Sequence, residues 1–395
     1  AFQGLVHGAA NPNPRPAGAP YSGRVHHNRT EAMPTIERLL TDKRALNHSR
    51  LQTLDAPPLS AGEALLAVRR VALTTNNITY AAFGDAMQYW DFFPTGEEGW
   101  GHVPAWGFAD VVASTVSGVE PGERFYGYFP LASHLRMQPV RVSERGFYDG
   151  AQHRQSLVSA YNQYTRVSQD PAYRPADENL QMLLRPLFIT SFMLADFLQD
   201  NGFFGARRLV LSSASSKTAY GTAFCLESAP GIELVALTST RNADFVDGLG
   251  CYQRTLGYDQ LDGLDTATPT LYVDFSGDEA LRARVHHHFG GSLVYDCFAG
   301  SAANTGFLRE QALPGPKPVF YFAPVQIRKR NADWGHAEVN RRFNESQLAF
   351  IRRVQEGPRP WLEVEEREGL AAAQPLLADL CAGRVDPRGG HVVVL

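Results

Sequence analysis

Leu209-Val210-Leu211-Ser212-Ser213-Ala214-Ser215-Ser216-Lys217-Thr218-Ala219-Tyr220-Gly221 is the stretch on which the fold turns. A short apolar run suited to a strand passes through a string of small residues into a segment that continues as a helix. A dinucleotide site needs that order, because a tight turn lets the helix N-terminus offer free N–H groups to a pyrophosphate. Serine stands here where glycine would allow the closest approach of the backbone. It can make the turn at a conformational cost, and its hydroxyl can donate to phosphate. Ser213, Ser215, Ser216, Lys217 and Thr218 are therefore the expected phosphate contacts.

The next strand refines the ligand. Leu234-Val235-Ala236-Leu237 ends in Thr238-Ser239-Thr240-Arg241, roughly 20 residues after the turn, where an NAD site would carry an acid for the ribose hydroxyls. Hydroxyls and a guanidinium suit a 2′-phosphate instead, so Ser239, Thr240 and Arg241 point to NADP(H). The bland alternative is that Ser239 and Thr240 cap the following helix and Arg241 is merely solvated. A second alternative treats Ser216-Lys217-Thr218 as the end of a P-loop and Asp274 as a magnesium aspartate. It lacks both glycines that would wrap the phosphates.

Working outward, the pattern alternates: strand 208–212, helix 217–228, strand 232–238, helix 242–249, strand 270–275, helix 278–289 and strand 293–298. Apolar strands alternating with helices predict a doubly wound parallel sheet. Upstream, Leu180, Leu183, Leu184, Leu187, Phe188, Phe192, Leu194 and Leu198 fall at helical spacing, ending at Asn201-Gly202. Earlier still, near-alternating runs at 64–73, 109–116, 124–128 and 135–142 are separated by Pro/Gly turns and predict a small barrel. The fold class is thus α/β, with a β-barrel domain beside a Rossmann domain. The expected boundaries are an extended N-terminal arm at 1–35, the barrel at 36–180 completed by 320–395, and the Rossmann unit at 181–319. After one long helix from about His336 to Val354, the last 75 or so residues end in the apolar strand His391-Val392-Val393-Val394-Leu395, which needs an existing sheet to pair with.

Bulk properties narrow the function. A chain of 395 residues suits two domains, and 44% hydrophobic with 20% charged residues is the balance of a packed globular protein. The formal net charge of −4 comes without a Lys/Arg stripe, which argues against nucleic acid as a partner. Arg328-Lys329-Arg330 is followed by acids and reads as a solvated segment. Cys225, Cys251, Cys297 and Cys381 are widely spaced, with no zinc-binding pattern, and fit small buried side chains in a reducing compartment. No apolar run suggests a bilayer span and no secretory pattern opens the chain, so a cytoplasmic location without membrane contact is expected. His286-His287-His288 cannot ligate one ion, since successive helix residues point about 100° apart, and reads as a solvated helix end.

Beyond the Rossmann run, three pieces carry a family likeness. They are the strand and loop from Val68 to Ala82, the segment Val103-Pro104-Ala105-Trp106-Gly107-Phe108-Ala109-Asp110-Val111-Val112, and the turn Gly118-Val119-Glu120-Pro121-Gly122-Glu123-Arg124-Phe125-Tyr126-Gly127. With them the chain resembles the medium-chain dehydrogenase/reductase superfamily, on its zinc-free quinone-oxidoreductase and enoyl-reductase side and within a bacterial branch. The likeness covers roughly residues 40 to 395. It implies a GroES-like first domain that the C-terminal segment rejoins. Zinc-dependent relatives carry Gly-His-Glu where this chain has Ala105-Trp106-Gly107, and a Cys ligand where it has Thr74-Thr75-Asn76-Asn77-Ile78-Thr79-Tyr80. No zinc set assembles, although His102 stands nearby.

What the resemblance implies chemically is hydride transfer from NADPH to a ketone or activated C=C, with the protein orienting the substrate and supplying a proton. Asn77, Tyr80, Tyr89 and Tyr164 are the candidate catalytic residues; each tyrosine has the alternative of plain packing, and Asn77 that of shaping a turn. Tyr258, Phe275, Phe298 and Ala299 fall where relatives place further cofactor contacts. Tyr89-Trp90-Asp91-Phe92-Phe93-Pro94 suits a bulky, partly aromatic small-molecule substrate, or a packing plug. A homodimer is common in the resembling family. Two other classes stay open: a lyase that oxidises its substrate transiently for carbon–carbon cleavage, and a nucleotide-binding sensor without turnover.

Overall fold

The computed structural model describes residues 35–300, 312–356 and 359–395. The expected N-terminal arm lies outside the described residues, save Thr35. Strands Arg208–Leu211, Glu233–Thr238, Arg254–Gly257, Thr270–Asp274, Leu293–Phe298 and Val319–Phe320 form one sheet. All its pairings are parallel. Numbered in chain order, the strands lie 3-2-1-4-5-6, so the order reverses between the first and fourth, the crevice where such sheets bind ligands. Leu209, Val210, Leu211, Leu234, Val235, Leu271 and Val273 are buried on both faces, as a parallel sheet covered by helices requires. The strand Arg254–Gly257 escaped the sequence reading because it is short, at the sheet edge and only part-buried, with no apolar period.

Helix Glu178–Asp200 joins the two halves. By length and composition it is apolar enough to cross a bilayer, against the expectation that no segment would be. Its apolar residues are instead packed in the core: Phe188 stacks on Phe350 with centroids 4.4 Å apart. Its acids Asp196 and Asp200 pair with Lys329 and Arg330, so that basic run is docked rather than simply solvated. Helices Ala323–Trp334 and His336–Gln355 therefore pack with the Rossmann half, where the sequence reading had joined all of 320–395 to the barrel. The reason is the apolar face of the second helix, Val339, Phe343, Phe350, Ile351 and Val354, which meets helix Glu178–Asp200.

The barrel half is a curled antiparallel sheet. Strand Ala64–Leu73 pairs with Pro104–Ser114, which pairs with Arg124–Pro130. His134–Met137 also pairs with Ala64–Leu73, and the chain runs straight on into Pro139–Ser143, which pairs with Gly146–Asp149 at the far edge. One continuous stretch thus bonds to the centre and to the far end, and the sheet must close on itself. Gly389–Val394 adds antiparallel to Ala64–Leu73, with Glu363–Glu368 beside it, so the chain end does return to the first domain. A hairpin of Thr35–Asp42 and Ala45–Asp55 precedes all this; its second strand is largely exposed, which erased the alternation that would have revealed it.

Below the parallel sheet's carboxyl edge lies a fully buried polar cluster. Asp274 accepts from Ser212 Oγ at 2.9 Å and from Arg282 at 2.6 Å, besides Ser276 and Gly277. With its oxygens so occupied, Asp274 is not the magnesium ligand of the P-loop alternative. His286 is fully buried, its two ring nitrogens 2.8 Å from the Pro314 carbonyl and 2.7 Å from Asp296 Oδ2. The expected solvated histidine run is corrected here, because the 100° helical step turns His286 inward while His287 stays exposed. Burial works against the charge on His286, yet its bonds to Asp296 and the carbonyl outweigh that, and its pKa is raised above 6.5. A raised pKa adds stability below the unfolded value that is lost as pH climbs through the folded one. The stability gap between the native chain and His286→Gln is expected to be widest below about pH 6.5 and to shrink at higher pH, as read by urea unfolding at several pH values.

Candidate functional site

At the end of the first Rossmann strand, Ser213 adopts a left-handed conformation, φ 46°, the geometry glycine would take without strain. Ser216 caps helix Lys217–Leu226 by accepting from the Ala219 amide. The first helical turn leaves the Lys217 and Thr218 amides without intrahelical partners, facing the crevice end of the sheet. Tyr258 sits on this turn, its hydroxyl 3.2 Å from the Ser213 amide. Ser215 Oγ accepts from Asn242 of the neighbouring loop, and the Ser239 hydroxyl is buried with no partner. Thr240 and Arg241 beside it are exposed. The expected contacts thus gather around one turn, with Phe275 at the next strand end and Phe298 and Ala299 one strand further. Phe275 and Phe298 are buried, so their side chains serve the core.

Lys217 departs from expectation. Its ammonium donates to the carbonyls of Pro387 and Gly389, 3.1 Å each, in the C-terminal segment of the barrel half. Burial pushes its pKa down to about 8, against the pull of Asp386. The side chain bridges the two halves, leaving its backbone amide for an anion.

A narrow cleft opens between the halves, walled by Ala72, Thr74, Asn76, Asn77, Tyr80 and Trp106 on one side and by Met182, Leu183, Pro186 and Leu187 on the other. Helix Thr75–Ala82 supplies Asn76, Asn77 and Tyr80. Asn77 is a helix-start residue: its Oδ1 accepts from the Thr74 amide at 2.7 Å and its Nδ2 donates to the Pro104 carbonyl at 2.9 Å. Both Asn76 and Asn77 line the cleft, and Asn77 does so with its amide held by these two bonds. Tyr80 accepts from Trp106 Nε1 at 3.3 Å, with Asn76 and Tyr161 beside it. Burial first, and the neighbouring Tyr89, raise the Tyr80 phenol to about 12, so it is protonated at neutral pH. Tyr89 and Tyr161 face each other, hydroxyls 3.4 Å apart. Phe92, Phe93 and Tyr128 back them in one aromatic cluster, the observed place of the Tyr89–Pro94 tract.

Tyr164 is elsewhere. Its hydroxyl donates to the Tyr128 carbonyl at 2.6 Å and accepts from buried Arg154, whose partner is Asp149 at 2.6 Å. Fully buried inside the barrel, it braces the strands rather than facing the cleft. His102 is also buried and held neutral, its pKa lowered to about 3 by burial and by Arg38. Among the described residues no group of three or more His, Cys, Asp or Glu is placed to hold a metal.

A family model described as "Protein of unknown function (DUF2855)" matches residues 71–386. The chain belongs to that family. No curated protein matches it by sequence. Solved structures do match this DUF2855 chain in fold. CurA in complex with NADPH from Vibrio vulnificus is 13% identical with a TM-score of 0.57, covering 91% of this chain and 98% of its own. The YhdH oxidoreductase from Salmonella enterica in complex with NADP is 16% identical with a TM-score of 0.53, covering 91% and 99%. A thermostable alcohol dehydrogenase from Pyrobaculum aerophilum is 14% identical with a TM-score of 0.54, covering 92% and 100%. At such identities the likeness is one of fold: a GroES-like half and a Rossmann half.

Two residues packed around Tyr80 in this DUF2855 chain were missed in the sequence. Trp106 stood out only as a mismatch to a zinc motif, and Tyr161 lies in a short 3-10 turn with no period. Their signal was the excess of aromatics around Tyr89–Pro94, which needed partners. Replacing Tyr164 by Phe is expected to cost about 1–3 kcal/mol in chemical unfolding, through the stranded Tyr128 carbonyl and Arg154, with ligand binding at the cleft unchanged.

Proposed function

We propose that the chain is an NADP(H)-dependent oxidoreductase that reduces a ketone or activated C=C of a neutral, partly aromatic substrate without a catalytic metal. The single observation that carries this reading is the pairing of two features at one domain junction. A left-handed strand-to-helix turn with unfilled amides stands at the switch point of the parallel sheet, and a cleft of neutral donors opens beside it. Helix Glu178–Asp200 ties them together: Leu187 lines the cleft, and Ser191, one turn on, donates to the Thr218 carbonyl at 2.8 Å.

The residues at the turn fit a phosphorylated dinucleotide. The orphaned Ser239 hydroxyl and exposed Arg241 offer donors at the end of the second strand, where no carboxylate would repel a 2′-phosphate. The Lys217 and Thr218 amides and the positive end of the helix suit the pyrophosphate. CurA and YhdH, of the same fold, were solved with NADPH and NADP. Bound NADPH supplies a hydride.

The rest of the chemistry belongs to the cleft. Its lining carries two amides, a hydroxyl, a phenol and an indole among apolar side chains, with no ionic group. Such a lining favours an uncharged substrate, since a carboxylate or phosphate there would be desolvated with no counter-charge. Tyr80, protonated and fixed by Trp106, can donate to a carbonyl oxygen, polarise it and hand over its proton as the electron pair arrives. Pro186 lacks an N–H and so leaves the Met182 carbonyl without its helical partner at the cleft wall, a further acceptor for an amide or hydroxyl.

Parallel calorimetric titrations with NADPH and NADH at fixed salt test the cofactor. NADPH is expected to bind the more tightly, and Arg241→Ala to weaken NADPH about 10- to 100-fold while changing NADH little, the loss of one charge-assisted contact. Equal losses for both would remove the 2′-phosphate assignment. Consumption of NADPH is then followed at 340 nm with aryl enones, quinones and aryl ketones; Tyr80→Phe is expected to lower kcat about 100-fold or more with cofactor affinity kept.

A further inference from the structure

Tyr80 is buried, yet any proton it gives up must be replaced from water. The way it is bonded shows how. A phenol oxygen accepts hydrogen bonds but carries a single hydrogen. Trp106 Nε1 donates to the Tyr80 oxygen at 3.3 Å, so the hydrogen of Tyr80 is left to be donated elsewhere. Tyr161 is its neighbour in the cluster, the two rings meeting edge to face with centroids 6.0 Å apart and no hydrogen bond closed between the hydroxyls in the resting cleft. Tyr161 in turn meets Tyr89 hydroxyl to hydroxyl at 3.4 Å, again edge to face at 5.7 Å. Burial grades along this line: Tyr80 is 6% exposed, while Tyr161 and Tyr89 are each only part-buried.

The three rings are not free to drift. Tyr161 is wedged between Tyr128, with centroids 4.7 Å apart, Trp106 at 5.9 Å and Phe92 at 5.5 Å. Its backbone carbonyl accepts from the buried Arg154 at 3.1 Å. Tyr89 and Tyr80 pack directly on each other at 4.8 Å. Packing alone would be served as well by phenylalanine, and Tyr128 in the same cluster does leave its hydroxyl buried without a partner, whereas the hydroxyls of Tyr80, Tyr161 and Tyr89 each meet a donor or acceptor.

Resting on the proposed reduction, we propose that Tyr161 and Tyr89 form a proton relay that recharges Tyr80 from solvent. As the conjugated carbonyl accepts the hydride's electron pair at carbon, its oxygen takes the Tyr80 proton. Tyr80 takes one from Tyr161, Tyr161 from Tyr89, and Tyr89 from water. One hydride and one proton reach the substrate, NADPH leaves as NADP⁺, and every phenol ends as it began. Tyr161 and Tyr89 touch no substrate atom in this scheme.

The test has two arms on the full-length protein. In the first, tyrosine labelled with ¹³C at Cζ is observed by NMR without cofactor, the Tyr80 signal being assigned through Tyr80→Phe. Tyr161→Phe keeps the ring and is expected to move the Tyr80 signal; an unmoved signal overturns the relay whatever the activity. In the second arm, NADPH oxidation is measured with trans-4-phenyl-3-buten-2-one and 1,4-naphthoquinone. Tyr161→Phe is expected to lower kcat roughly 10- to 100-fold with KM and NADPH affinity within about twofold. The solvent deuterium isotope effect should rise and the effect of 4-deuterated NADPH should fall, as proton supply becomes limiting. Tyr89→Phe should give the same pattern, more weakly. Unchanged kcat and isotope effects in Tyr161→Phe overturn the relay while leaving the reductase reading intact. A native chain that binds NADPH but reduces neither probe, with the NMR coupling present, overturns the reductase reading and the relay's catalytic use, and leaves the coupled phenols in place.

Discussion

Everything in this molecule hangs on one helix having two apolar ends. The N-terminal part of Glu178–Asp200 buries Leu180, Met182 and Leu183 in the cluster that holds Ala72, Phe108, Tyr126 and Val392 of the barrel half. Its C-terminal part buries Phe188, Leu194 and Leu198 with Leu209, Tyr220 and Phe350 of the Rossmann half. The two halves thus share a single continuous core rather than meeting at a wet surface. Apolar burial at about 25 cal/mol per Å² is the dominant favourable term in folding, so separating the halves would forfeit a large part of it. The cleft forms where that shared core stops, at Pro186 and Leu187.

Around the cleft, polarity is rationed. Charges inside the molecule appear paired, as Arg154 with Asp149 or Arg282 with Asp274, and both pairs stand behind the working surfaces. Apart from Arg241 at the cofactor turn, the surfaces present neutral groups: backbone amides and hydroxyls at the turn, a phenol, an indole and two amides in the cleft. Unpaired charges in a low-dielectric cleft would be costly, whereas neutral donors leave their full strength for whatever oxygen arrives.

Much of the fold was legible in the residues. The apolar strands ending in small residues gave the parallel sheet, and the helical spacing from Leu180 to Leu198 gave the joining helix. Elements without period escaped: the hairpin at 35–55, the edge strand Arg254–Gly257 and helix Ala323–Trp334 owe their structure to neighbours rather than to local pattern. The strand-to-helix turn was legible where backbone geometry decides it, at Ser213, and Tyr258, expected from the resemblance, does meet that turn; placement was less legible where side-chain direction decides it. Tyr80 and Tyr164 look alike as sequence, yet one lies on a helix facing the cleft and the other on a strand facing the barrel interior. Lys217 and His286 carried chemistry-bearing side chains that the fold spends on carbonyls and a carboxylate instead, Asn77 lines the cleft with its amide already bonded, and Tyr161 joined the aromatic cluster through a turn no spacing announces.

Lys217 brings one more consequence, about motion. Its ammonium bridges the start of the dinucleotide helix to the carbonyls of Pro387 and Gly389, so the halves are pinned beside the turn as well as through the core. Swinging apart like a book would strand a buried cation and two acceptors at once. The inexpensive displacements are those that keep this pin and slide the barrel's aromatic rim past the helix, a shear rather than a hinge. A cleft that opens by shear admits flat molecules edge-on and resists bulky ones, so shape selection would be imposed on the way in, before any contact inside the cleft is made.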